Sequence, residues 1–146
     1  MRATPEGWPR ISSALVYEDA ARAIDWLARA FGFEVRLRIE GAQGRIVHAE
    51  LVFGEGLIML GSGADDPRGS SPRRLGGANT QSLCVFVDDV DAHCERARAA
   101  GATIVREPTT RDHGADYWVD RTYEAVDLEG HRWWFMQRLR GRASEP

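Results

Sequence analysis

The chain repeats itself. Residues 13–35 read SALVYEDAARAIDWLARAFGFEV, and residues 82–104 read SLCVFVDDVDAHCERARAAGATI. The two segments align without a gap at an offset of 69 residues (82 − 13). Eight positions are identical: Ser13/Ser82, Val16/Val85, Asp19/Asp88, Ala23/Ala92, Ala28/Ala97, Arg29/Arg98, Ala30/Ala99 and Gly32/Gly101. Other pairs keep their character, as Tyr17/Phe86 and Val35/Ile104 do. A fixed offset that preserves the order of apolar run, acid, helical pattern and glycine marks a duplicated supersecondary unit. The fold must therefore be built from two related modules.

Each module reads the same way. A short β run (Ala14 to Tyr17, Leu83 to Val87) comes first. Asp19 or Asp88 then stands where a carboxylate can cap a helix by accepting backbone N–H bonds. The helix ends at Gly32 or Gly101, where a left-handed residue is needed. Three more strands follow, near 34–39, 46–53 and 57–60 in the first half and 103–108, 117–127 and 132–137 in the second. Gly54-Glu55-Gly56 and Leu128-Glu129-Gly130 suit the hairpins between them. The expected organisation is an N-terminal extension (1–10), a first βαβββ module (11–61), a Gly/Ser/Pro/Asp-rich linker (62–80), a second module (81–138) and a frayed tail (139–146).

Composition narrows the function classes. The chain has 146 residues, 43% hydrophobic and 28% charged, which fits an ordinary globular chain with one sizeable core or two small fused ones. Its net charge is −3 and no Lys/Arg-rich run stands out, so neither nucleic acid nor an anionic membrane is expected as a partner. The first ten residues hold no apolar core of a signal peptide, and no apolar run approaches the length of a spanning helix. The only cysteines, Cys84 and Cys94, lack metal spacing and read as small buried hydrophobes. A cytoplasmic location is the expectation.

Four segments together, YEDAARAIDWLARAFGF, HAELVFGEGLIML, VFVDDVDAHCERARAAGA and VDLEGHRWWF, resemble the glyoxalase/bleomycin-resistance/dioxygenase (vicinal oxygen chelate) superfamily, in its bacterial glyoxalase-like subset. The resemblance runs from about Ile11 to Gln137. It implies an α+β fold in which two tandem βαβββ modules form a curved mixed sheet around a cavity, with helices on the outer face. It also implies a homodimer. Activity does not follow from it, because one fold hosts many chemistries.

Metal-dependent relatives place four His or Glu ligands in that cavity. Carried over, the positions here are Ser12 or Ser13, then Met59, Ser82 and Trp134. Two hydroxyls, a thioether and an indole do not suit a divalent ion, so neither metal nor cofactor is expected. Strand alternation instead turns Ser13, Leu15, Tyr17, Ser82, Cys84 and Phe86 toward the cavity, with Leu57, Met59, Arg132, Trp134 and Met136 from the last strands. Val16, Val85, Trp133 and Phe135 are expected to bury against the helices. An aromatic and thioether lining suits a flat, largely apolar ligand. Trp118 joins it from the strand after the loop 109–118. His113 and Asp112 in that loop are the candidates for general acid–base work. His48 is placed to pair with Glu50, two residues along one strand face, His131 reads as structural, and His93 reads as solvated.

The reading that follows is a metal-free binder of a small apolar or aromatic molecule. The alternative is a lyase, isomerase or dioxygenase acting on a small metabolite, metal-dependent through other ligands or metal-free through His113. A plain interaction module is the third class.

Overall fold

A computed structural model describes residues 1–63 and 69–142. The chain divides into two compact units, residues 1–78 and 79–146. The linker and tail expected from sequence lie partly outside the described residues.

In the first unit β1 (Ser13–Tyr17) leads into α1 (Ala20–Phe31), followed by β2 (Glu34–Glu40), β3 (Ile46–Phe53) and β4 (Gly56–Ser62). The sheet order is β1-β4-β3-β2, with β1 parallel to β4 and the other pairs antiparallel. The second unit repeats this with β5 (Ser82–Phe86), α2 (Val90–Ala99), β6 (Thr103–Asp112), β7 (Val119–Val126) and β8 (Arg132–Arg140), in the order β5-β8-β7-β6. The two βαβββ modules read from the sequence are therefore present, and the class is α+β. No helix is long and apolar enough to cross a membrane among the described residues.

Each helix is fixed at both ends by its sequence. Asp19 Oδ1 accepts the N–H of Arg22 at 3.0 Å, and Asp89 Oδ1 accepts that of Ala92 at 3.0 Å. Such a cap contributes about 0.5–2 kcal/mol. The second cap is thus Asp89 and not Asp88, as the ungapped alignment had it. Gly32 (φ +84°) and Gly101 (φ +92°) take the left-handed conformation just past the helices, where a Cβ would be strained.

The cap shift has consequences. The caps stand 70 residues apart (89 − 19), whereas the glycines stand 69 apart (101 − 32). The second module is one residue shorter between cap and glycine, so its first strand aligns with β1 at an offset of 70. Strand registry agrees. Ala14 lies beside Met59, Met59 beside Glu50, and Glu50 beside Leu37. In the second module Cys84 lies beside Trp134, Trp134 beside Glu124, and Glu124 beside Arg106. Even the irregularity in the edge strand recurs, just before Leu37 and just before Arg106.

One sheet face in each unit is covered by its helix. In the first unit Ala23, Ile24, Leu27 and Phe31 meet a layer that includes Leu15, Tyr17, Ala49, Leu51, Ile58 and Leu60. In the second, Val90, Cys94 and Ala97 meet Tyr123, Ala125, Trp133 and Phe135. Burying side chains of this size contributes about 1.5–3 kcal/mol each, which is why these rows face inward. Among the described residues, the α-helix of each unit packs on one face of that unit's sheet, and the other is called its open face below.

Candidate functional site on the open face of the second sheet

Side chains of registered neighbours on adjacent strands share a face. The open face of the second sheet therefore holds three rows. They are Ser82 and Arg132; Cys84, Trp134, Glu124 and Arg106; and Phe86, Met136, Thr122 and Thr109. A fourth row, Arg138, Asp120 and Arg111, continues beyond β5. Ser82, Cys84 and Phe86 are exposed, Phe86 at 56% of its surface, while Trp134, Met136 and Trp118 are half-buried. Ser82, Cys84, Phe86, Trp134 and Met136 thus share one sheet face by strand register. Trp133 and Phe135, the alternate residues of β8, are fully buried on the helix side.

β1 differs from the expectation. Tyr17 is 0% exposed and Leu15 nearly so, and Leu15 is in register with buried Leu60. Ser13 is in register with buried Ile58. All three lie on the helix-covered face, and Val16, expected inside, lies on the open side. The cause is the offset of 70, which inverts the parity of β1 relative to an ungapped alignment. It also equates Ser12, not Ser13, with Ser82. The Ser12 hydroxyl is buried and has no hydrogen-bond partner among the described residues.

Ionised groups organise the open face of the second sheet. Glu124, 1% exposed, is paired with Arg132, and buried Asp120 is paired with Arg138. A buried carboxylate needs such a partner, since desolvation alone costs several kcal/mol. The Arg138 guanidinium also lies over two rings, 5.7 Å from the centre of Phe86 and 5.1 Å from that of Trp118. It thereby ties the hairpin loop to β5. Arg106 lies over Trp134 at 5.4 Å. These are cation–π distances. Partial desolvation of the Cys84 sulfur, with the Asp120 carboxylate as the smaller cause, pushes its thiol pKa up. The expectation that Cys84 is buried is corrected by its place on this face, while Cys94 is buried as expected.

Sequence reasoning missed Glu124, Asp120, Arg106 and Arg138 as members of this face. The signal was present: Glu124 and Asp120 alternate with Tyr123 and Arg121 along β7. Its reading required knowing which β7 residue sits beside Trp134.

The histidines fall into place differently. His48 Nε2 is 3.1 Å from Glu50 Oε1 on the open face of the first sheet, and Arg36 Nε is 3.4 Å from the other carboxylate oxygen. The expected pair therefore forms. His93 is not solvated: its Nδ1 is 2.7 Å from the Tyr123 hydroxyl, and its ring centre is 4.3 Å from that of Phe135. His131 is buried in the turn that Asp127 organises. His113 packs beside Trp118, its ring centre 5.7 Å away. Asp112 accepts the Gly114 N–H at 2.9 Å and faces Arg140 at 3.1 Å. That pattern closes a hairpin turn.

The positions that the resemblance gives to metal ligands carry Ser12, Met59, Ser82 and Trp134, a donor set that does not fit a divalent ion. Among the described residues no three His, Cys, Asp or Glu side chains are grouped as a metal ion would need.

Comparison with known proteins adds the family. The Glyoxalase/Bleomycin resistance protein/Dioxygenase superfamily matches over residues 10–135. The uncharacterized protein Rv0887c of Mycobacterium tuberculosis (strain ATCC 25618 / H37Rv) is 34% identical over 135 residues, covering 90% of this chain and 76% of that protein. The crystal structure of TioX from Micromonospora sp. ML1 is similar with a TM-score of 0.69 and 38% identity, over 90% of this chain and 100% of that one. TnmS3, an antibiotic binding protein from Streptomyces sp. CB03234, shares the fold with a TM-score of 0.63 at 18% identity, over 87% of this chain and 93% of that one.

Proposed function

Because the chain belongs to the glyoxalase/bleomycin resistance protein/dioxygenase superfamily, we propose that it binds a small, largely apolar or aromatic molecule, without a metal, on the open face of the second sheet. The observation that carries this reading is the row built on Trp134. A large aromatic side chain stands on the face without a helix, flanked by Phe86, Met136 and Cys84, while its sequence neighbours Trp133 and Phe135 are spent on the core. A contiguous, partly exposed apolar patch supports this reading. A ring stacked on Trp134 gains roughly 0.5–1.5 kcal/mol beyond its burial, and burial adds about 25 cal/mol per Å² before ordering costs. The same fold in an antibiotic binding protein is in keeping with such a role.

A catalytic reading has one observation behind it, the His48–Glu50 pair on the open face of the first sheet. A carboxylate that orients an imidazole suits general-base work on a small metabolite. His113 and Asp112, the earlier candidates, serve a hairpin turn. We further propose that the protein is a homodimer in a reducing cytosol. Val35, Leu37, Ile39 and Val47 leave apolar surface exposed on the first unit, and Cys84 and Cys94 are free thiols.

Calorimetry of planar aromatic compounds against wild type, Trp134→Ala and Trp134→Phe tests the binding reading. Truncation to Ala is expected to weaken binding about tenfold or more, and Phe to retain part of it. Unchanged affinity in a folded Trp134→Ala protein contradicts the proposed site.

A further inference from the structure

We propose that the ligand of this face carries an acidic group beside its ring, an aromatic carboxylate being the simplest case, and that Arg106 and Arg111 recognise it. The proposal rests on the binding reading above and adds the ligand's charge. It comes from accounting for the ionised side chains in the registered rows of the open face. Glu124 is neutralised by Arg132, and Asp120 by Arg138. Two guanidiniums remain. Arg106 is in register with Glu124, and Arg111 with Asp120, so both belong to the same face. Among the described residues neither has a carboxylate partner, and the Arg106 guanidinium lies over the Trp134 ring. The face thus carries two more positive than negative charges, in a chain whose net charge is −3.

Edge protection is the competing explanation, because charged side chains commonly guard an edge strand such as β6. That role needs only charge along the edge and no particular aromatic partner. Here sign and face are sorted. The acid of β6 nearest Arg106, Glu107, pairs with Arg98 of α2 at 2.7 Å. The arginines go to the open face, and Arg106 folds inward over Trp134 instead of outward. A guanidinium beside an indole presents a planar fork at the edge of a stacking platform. A carboxylate attached to a stacked ring meets that fork with two parallel N–H···O bonds.

The test is calorimetric titration with naphthalene-2-carboxylate and naphthalene-2-carboxamide, which share a ring and differ in charge. Both are run at one ionic strength against wild type, Arg106→Gln, Arg111→Gln, the double variant, and Arg22→Gln on α1 as a control for general charge. All three positions are exposed, so thermal melting is expected to show folded proteins. Wild type is expected to bind the acid about tenfold more tightly than the amide. The double variant is expected to bring the two within about twofold, while Arg22→Gln keeps the wild-type ratio. Equal binding of acid and amide by wild type overturns the proposal and leaves the binding reading standing. A preference that survives in the double variant overturns it as well. Binding of neither probe overturns both.

Discussion

Asp127 shows how much one side chain can hold. It is buried, its Oδ1 accepts the N–H groups of Glu129 and His131 at 3.0 Å each, and its Oδ2 accepts the indole N–H of Trp133 at 3.1 Å. The turn before β8 and the orientation of the largest core residue therefore share one carboxylate. Replacing it by Ala strands a buried indole donor and two backbone donors, each costing roughly 1–3 kcal/mol if left unmade. Asp127→Ala is expected to lose about 2–4 kcal/mol in denaturant unfolding, and Asp127→Asn markedly less. A loss below about 0.5 kcal/mol contradicts the account. Cys84 gives a second residue-scale outcome. Its raised pKa leaves little thiolate at neutral pH, because the thiolate is the form that desolvation and the Asp120 charge disfavour. Its alkylation rate is expected to keep rising with pH beyond the point where a free cysteine levels off. A plateau at or below the free-cysteine pKa speaks against it. Trp133 and Trp134, side by side in the sequence, were separable by strand alternation alone. His93 was not, because helix position gives no sign that Tyr123 lies 30 residues away across the core.

At the scale of elements, a single residue between cap and glycine decides which face of β1 is which. The strands, both helices and their glycines were legible, because apolar periodicity and turn chemistry are local. The β1 parity was not. Tyr17 and Phe86 align in an ungapped comparison, and both are aromatic. Registry separates them: Tyr17 lies beside Ser62 on the covered face, and Phe86 beside Met136 on the open one. The same physics gives a paired prediction. Tyr17→Ala removes a fully buried ring and is expected to cost roughly 3–5 kcal/mol. Phe86→Ala, more than half exposed, is expected to cost under about 1 kcal/mol and to act on ligand binding instead. Equal destabilisation by the two substitutions, measured by urea unfolding, contradicts the assignment of faces. Glycine at position 63 belongs to the same picture. A Cβ there would approach Val16 Cγ1 to 1.9 Å, so the chain leaving β4 runs close against the open side of β1.

The whole molecule is two versions of one module with different tasks written on equivalent positions. Glu50 and Glu124 correspond, both buried and both beside an arginine, but their rows diverge. The first reads Ala14, Met59, Glu50 and Leu37, and the second Cys84, Trp134, Glu124 and Arg106. The fold came from repetition that a sequence displays openly. The candidate site came from the departures between repeats, which registry alone brings side by side. A dimer is expected in sedimentation at micromolar concentration, and a monomer there weighs against the proposed assembly. The proposed ligand position is the open face of the second sheet. The most direct measurement is the map of backbone amide and indole NMR shifts during titration with naphthalene-2-carboxylate. The expected result is a single saturating set of changes at Cys84, Phe86, Arg106, Trp134 and Met136, with Tyr17, Leu15 and Trp133 nearly still. Changes confined to the helix-covered rows, or spread without saturation over the surface, would contradict it.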